Sequence, residues 1–265
     1  MTRVIVHAGF HKTGTSSLQD YLRVIRGRLP DSIAIHLAED FVEAGTCARR
    51  YGQRPGPWHL RRFSLALRRY LASVNDAPTH VLSWEGFSGV MPGHRRFGRP
   101  VRNIHRAAVP LARAIIAELR RRFGDETEIV FFYTLREPDS WLASVHGHLL
   151  RSIRLTEDLE AFRAGFPADL RLDAEAEWIA QRIAPVPVKT AWLRDAKAPR
   201  EGPAAALLDL VGLPDDLRAA LPRARRTNVG DSAALRARFL ELNRSVTDAG
   251  RLKRLKQELL HHDPA

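Results

Sequence analysis

Arg3-Val4-Ile5-Val6-His7-Ala8-Gly9-Phe10-His11-Lys12-Thr13-Gly14-Thr15-Ser16-Ser17-Leu18-Gln19 carries three structural signals in seventeen residues. Val4-Ile5-Val6 is a short apolar run of the kind a buried strand needs, and Gly9 ends it. Leu18, Leu22 and Ile25 then recur at helical spacing until Leu29-Pro30 stops them. Strand, glycine loop and helix thus follow one another directly. The loop from Gly9 to Ser17 has the ingredients of a phosphate cradle. Its glycines permit close backbone approach, Lys12 adds a positive charge, and hydroxyls with the amides of the helix's first turn complete an anion site. It is not a Walker A loop, because that pattern places Gly-Lys-[Ser/Thr] after four variable residues. Here Lys12 precedes Thr13-Gly14.

Further along, Thr79 to Trp84, Glu128 to Thr134 and Val186 to Trp192 read as short buried strands. Helical patterns cover Leu60 to Val74, Ala107 to Phe123, Pro138 to about Arg151, Leu159 to Phe166, Ala174 to Ile183 and Ala204 to Val211. Phe41 to Pro57 has no regular period and carries Gly45, Gly52, Pro55, Gly56 and Pro57, so it is predicted to be a loop. Val90 to Arg102 is predicted to be an exposed loop. Asp215 to His262 reads as helical with a break at Thr227 to Gly230. Strands alternating with helices predict an α/β fold, a parallel sheet flanked by helices on both faces, with a helical C-terminal region. The expectation is one domain over residues 1–265, with a helical extension from about 231 to 265. Ligands of such sheets sit beyond the carboxyl ends of the strands. Gly9, Glu85 and Arg136 each follow a predicted strand, so all three come to one edge.

The chain has 265 residues and a formal charge of +12, with 42 Lys and Arg against 30 Asp and Glu, a balance that favours anionic ligands. The arginines are spread along helical stretches rather than interleaved with aromatics, so a nucleic-acid partner is not expected. Cys47 is the one cysteine, which excludes an intramolecular disulfide and a cysteine-based zinc cluster; it reads as structural. No apolar run reaches membrane-spanning length and no signal peptide is evident, so a soluble cytoplasmic protein is expected. Leu252, Leu255 and Leu259, at helical spacing beside Arg251, Lys253, Arg254 and Lys256, read as a helix docking on its own domain; membrane-surface contact is not expected.

The order Lys12-Thr13-Gly14-Thr15-Ser16 after an N-terminal strand resembles the 5′-phosphosulfate loop of sulfotransferases that use 3′-phosphoadenosine 5′-phosphosulfate, PAPS. The fuller string from His11 to Gln19 resembles bacterial members. Tyr133-Thr134-Leu135-Arg136-Glu137-Pro138 followed by Ser144 resembles the family's 3′-phosphate site, an arginine at a strand end and a serine eight residues on. A guanidinium fork and a hydroxyl in the next helix suit one phosphate. Leu82-Ser83-Trp84-Glu85-Gly86-Phe87 resembles the strand-end carboxylate that acts as base in several carbohydrate-modifying members.

The resemblance implies a P-loop NTPase-like sulfotransferase fold and transfer of a sulfuryl group from PAPS to a hydroxyl or amine, with no metal required. By it, His11, Lys12, Thr13, Gly14, Thr15 and Ser16 would hold the 5′ end of the donor, Arg136, Ser144 and Arg226 would contribute to its 3′-phosphate, and Lys12 and Glu85 would be catalytic. Arg226 stands in Arg225-Arg226-Thr227-Asn228-Val229-Gly230, which departs from the family's Arg-Lys-Gly loop. Phenol- and steroid-acting members use a histidine as base, which keeps His59 and His146 as candidates. Glu85 has a second reading as a partner of Lys12 or of a helix end. Trp84 and Trp141 read as packing residues rather than adenine platforms. The acceptor, a small molecule, carbohydrate or lipid, is not named by any motif. A P-loop kinase or nucleotide hydrolase is the competing enzyme reading, and a basic nucleic-acid-binding module the competing non-enzyme one.

Overall fold

The first strand, β1 (Arg3–His7), is buried except at its first residue, and the chain leaves it through the glycine loop into α1 (Thr15–Ile25). In chain order there follow β2 (Ile33–Leu37), α2 (Val42–Gln53), α3 (Pro57–Ala72), β3 (Thr79–Ser83), the short strands β4 (Arg95–Arg96) and β5 (Arg99–Pro100), α4 (His105–Phe123) and β6 (Glu128–Leu135). Then come α5 (Pro138–Ser152), α6 (Leu159–Ala164), α7 (Leu172–Ile183), β7 (Val188–Trp192), α8 (Ala205–Val211), α9 (Asp215–Ala220), α10 (Ala233–Ser245) and α11 (Ala249–His262). This computed structural model describes residues 1–97, 99–197, 199–225 and 231–262.

Five strands form one sheet in the order β2-β3-β1-β6-β7, and every pairing in it is parallel. β1 is the central strand, with Ile5 between Val81 and Val130. Successive side chains of a strand point to opposite faces, so each strand serves two layers. On one face Ile5, Ile35, Val81 and Phe132 pack with Leu18, Leu22 and Ile25 of α1 and Leu207, Leu208 and Val211 of α8. Each such side chain contributes roughly 1.5–3 kcal/mol when fully buried. On the other face His36 and His80 meet α3 and α4. His36 Nδ1 lies 2.6 Å from Tyr70 Oη, its Nε2 lies 3.1 Å from His80 Nδ1, and the His80 ring packs on Phe123.

Two expectations need correction. Residues Phe41 to Pro57, predicted as a loop, are mostly helix α2, and β2 arises where no strand was anticipated. The buried face of α2 is built from Ala44, Gly45, Cys47, Ala48, Tyr51 and Gly52, and all of these but Tyr51 are small, which gives no strong apolar period. The glycines are contact points: the Trp84 ring rests over Gly45, and a Cβ on Gly52 would stand 2.7 Å from the Val90 nitrogen. The segment Val90 to Arg102, expected to be exposed throughout, buries Val90 and Met91 and carries the β4–β5 pair.

The chain divides into two compact units, Met1–Arg136 with Arg171–Arg225, and Glu137–Leu170 with Arg226–Ala265. The first holds the sheet. The second holds α5, α6, α10 and α11. In it Asn243, fully buried, donates from Nδ2 to the Leu150 and Leu155 carbonyls at 3.0 and 2.8 Å. The Lys256 amine donates to the Leu150 and Ile153 carbonyls at 2.6 and 2.8 Å, satisfying acceptors that the end of α5 leaves without helical partners. Burial lowers the Lys256 pKa to about 8. Leu252 and Leu259 are buried beside it, so α11 docks within its own unit, and Lys256 turns inward rather than joining a basic face. Among the described residues no helix is long and apolar enough to cross a membrane.

Candidate functional site

The loop after β1 is wound by residues with positive φ: Gly9 at 47°, Lys12 at 67° and Gly14 at 91°. Gly14 is the N-cap of α1 and gives it no side-chain cap. A Cβ there would lie 2.6 Å from Leu193 Cδ1, so the loop and the segment after β7 approach too closely for any other residue. Thr13 anchors this shape. Its hydroxyl is fully buried, donates to the Phe10 carbonyl at 2.5 Å and lies 2.7 Å from Thr134 Oγ1 of β6. The single Thr13 proton goes to a carbonyl that can only accept, so Thr134 is the donor of the second bond. The Thr13 side chain therefore holds the loop to the sheet. Ser88 adds a second tie, donating to the Gly9 carbonyl at 2.8 Å. Thr15 is buried and Ser16 exposed in the first turn of α1.

Glu85 stands just past the carboxyl end of β3, half-buried, at the start of a 3-10 turn over Glu85–Ser88. Gln19 of α1 donates from Nε2 to Glu85 Oε2 at 2.8 Å, which fixes the carboxylate against the loop helix. His11 Nε2 donates to the Gly89 carbonyl at 3.1 Å. That bond sets the neutral tautomer and leaves Nδ1 as the acceptor. The His11 pKa is lowered by burial first, with the charges of Lys12 and Arg49 adding to the effect; Glu85 and the Gly89 carbonyl oppose it. Beneath the loop, fully buried His7 holds Ser83 Oγ at 2.7 Å through Nδ1. Burial pushes its pKa down to about 4, opposed by the Glu85 charge. Its Nε2 has no hydrogen-bond partner among the described residues.

Arg136 is half-buried at the end of β6, and its Nη1 donates to the Lys12 carbonyl at 3.2 Å. The arginine strand end and the lysine loop are therefore in contact. Beside them a cleft of about 200 Å³, mostly apolar, is lined by Thr134, Trp192, Leu193, Pro199, Pro203 and Ala206 among others. Residues His11, Lys12, Thr13, Gly14, Thr15, Ser16, Glu85 and Arg136 all belong to the first unit. Ser144 stands in the second turn of α5, in the second unit. Arg226 lies outside the described residues. His59 is half-buried in the first turn of α3. His146 is buried in the second unit, where it donates to the Glu157 carbonyl at 2.9 Å and packs on Phe162, the pattern of a histidine that lines a fold. Trp84 and Trp141 are both buried.

Sequence reasoning assigned no role to His7, Ser83, Gln19, His94 or Arg49, all of which bear on this edge. His7 and Ser83 carry a signal that could have found them, since each is the polar last residue of its strand and follows buried apolar residues, Val4-Ile5-Val6 and Val81-Leu82. Arg49 carried none, because α2 was not predicted as a helix. No protein-family model matches the chain, and no curated protein matches it.

Proposed function

We propose that the protein is a sulfotransferase of P-loop-like fold that transfers a sulfuryl group from PAPS to a hydroxyl or amine. The observation that carries this reading is the Arg136–Lys12 contact, which brings the two motifs resembling opposite ends of a PAPS site to one sheet edge, with Glu85 alongside. The strand order agrees: with β1 central and flanked by β3 and β6, the loops after these three strands open at the crevice where parallel sheets bind ligands. The left-handed turns at Lys12 and Gly14 and the first turn of α1 suit an anion, and the cleft beside Gly14 has the apolar lining that suits a purine.

In this reading the backbone of Lys12 to Ser16 cradles the donor's 5′-phosphate, and Arg136 binds its 3′-phosphate through the guanidinium fork. The acceptor's oxygen or nitrogen attacks sulfur in line. The bond from sulfur to the bridging oxygen breaks with its electron pair passing to that oxygen, and the leaving group is adenosine 3′,5′-bisphosphate. Glu85 takes the acceptor's proton and is held in place by Gln19. Lys12 neutralises the charge that grows on the leaving phosphate oxygen, worth on the order of 10²–10³ in turnover if it behaves as other preorganised donors do.

Calorimetry tests the reading. The chain should bind adenosine 3′,5′-bisphosphate without metal, and more tightly than ATP with Mg²⁺. Arg136→Ala should weaken that binding by about 10- to 100-fold, the loss of a charged hydrogen bond. Undiminished affinity in Arg136→Ala would remove the 3′-phosphate assignment, and Glu85→Gln with full turnover at saturating acceptor would remove Glu85 as base.

A further inference from the structure

The chain's net excess of positive charge is concentrated in one part of it. Residues 44–117 hold thirteen arginines, no lysine and two carboxylates, Asp76 and Glu85, a net of +11 out of the chain's +12. This stretch builds α2, α3, the Glu85–Ser88 turn, the β4–β5 pair and most of α4, elements that touch one another within the first unit. Arg68 and Arg69 are engaged by Glu118 and Glu43. Arg49, Arg50, Arg61, Arg62 and Arg99 are exposed and have no carboxylate partner among the described residues. Unpaired like charges repel one another, and the strain is relieved when an anion binds.

That basic wall reaches Glu85. His94, which precedes β4, is lowered in pKa by burial and then by the charges of His11 and Arg49. The elements also touch: α2 packs on the Glu85–Ser88 turn, its Gly52, one turn after Arg49, lies against Gly89 and Val90, and His11 donates to that same Gly89 carbonyl, which puts Arg49 on the side of the loop where Glu85 stands. A neutral acceptor gains nothing from this surrounding. An acidic one gains bidentate contacts to guanidinium forks and is drawn in over a Debye length of about 8–10 Å. The exposed apolar residues of the region, Trp58, Leu65 and Phe97, are separate positions in the sequence, with His59 beside Trp58 and Arg96 beside Phe97, a pattern for single sugar rings rather than for the continuous apolar face that a bilayer needs.

We propose that the acceptor is an acidic oligosaccharide, held through its carboxylates by Arg49, Arg50 and Arg99 with one sugar hydroxyl at Glu85. The proposal rests on the sulfuryl-transfer reading for its chemistry: a bond forms between the sugar oxygen and sulfur, the donor's sulfur–oxygen bond breaks toward the bisphosphate, and the hydroxyl proton passes to Glu85. Recognition of the sugar does not need the donor, so the two ideas can fail separately.

The test is calorimetry on the full chain without donor, using uronate hexamers built on galacturonate, glucuronate or guluronate against neutral maltohexaose. At least one uronate should bind about tenfold or more tightly than maltohexaose, with affinity falling as salt rises from about 50 to 200 mM. Replacing Arg49, Arg50 and Arg99 together with alanine should weaken it by about tenfold, since exposed charged contacts are individually small. Circular dichroism and the thermal unfolding midpoint should be unchanged in that variant, which shows that it folds. No preference for any uronate, an undiminished triple variant, or tighter binding of single-stranded DNA or phosphatidylglycerol vesicles than of every uronate would overturn the proposal. A parent chain that binds a uronate but not the bisphosphate supports the sugar site and removes the sulfuryl-transfer reading.

Discussion

Thr13→Val and Thr134→Val should have unequal and non-additive effects, because the direction of the hydrogen bonds between them is determined. Thr13 gives its only proton to the Phe10 carbonyl and receives one from Thr134. Thr13→Val keeps the shape but removes both bonds, and it strands the Phe10 carbonyl and the Thr134 hydroxyl in a buried place. At about 0.5–1.5 kcal/mol for each bond plus a stranded-donor penalty of similar size, the cost is about 2–4 kcal/mol. Thr134→Val removes one bond and leaves Thr13 still donating to Phe10, so its cost is about 1 kcal/mol. The double variant no longer strands a hydroxyl, so it should be no worse than Thr13→Val alone, with a coupling of about 1–2 kcal/mol. Hydrogen exchange of β1 and β6 amides reads the first unit by itself and is the suitable assay. Equal costs for the two single variants, or a double variant equal to their sum, would show that the bonds do not run this way and that Thr13 is not the anchor of the loop.

Gly14→Ala should cost about 2 kcal/mol, from the left-handed backbone and the contact with Leu193, and should weaken bisphosphate binding in calorimetry. Adding Leu193→Ala should recover the steric share and not the backbone share. His7 and His36 are both held near a pKa of about 4 by burial against an ordinary value of 6.5. The unfolded chain therefore binds more protons between those values, so stability is full above pH 6.5 and falls as pH drops toward 4, by up to about 3 kcal/mol per pH unit for the two together. Urea unfolding that is flat from pH 7 to 5 would contradict this. In the second unit, Asn243→Ala should cost about 2–3 kcal/mol by stripping two donors from the buried Leu150 and Leu155 carbonyls, read as lost exchange protection in α5 and α10.

Much of the site was legible as local pattern. The loop from Gly9 to Ser17, the strand ends at Glu85 and Arg136, and the prediction of a parallel sheet are all statements about short stretches, and the structure brings those positions to one edge. Helix α2 was not legible. Its core face uses alanine, glycine and cysteine because Trp84 and Val90 press against it, and a small-residue face looks like a turn until its neighbour is known. β2 was missed for a related reason, as five residues on a sheet edge leave little period to read.

The alternation of strands and helices and the chemical kinds of residue in the loop are local matters, because hydrophobic period, glycine and charge act within a few residues of chain. Packing settled which of those residues turn inward and which face one another: that the Thr13 hydroxyl is an anchor, that Gln19 holds Glu85, that Lys256 ends in the interior, and that the charge of Arg49 on α2 acts on His11. Those choices depend on contacts between positions far apart in the chain, where burial and hydrogen-bond satisfaction are settled by packing and leave no mark on local order.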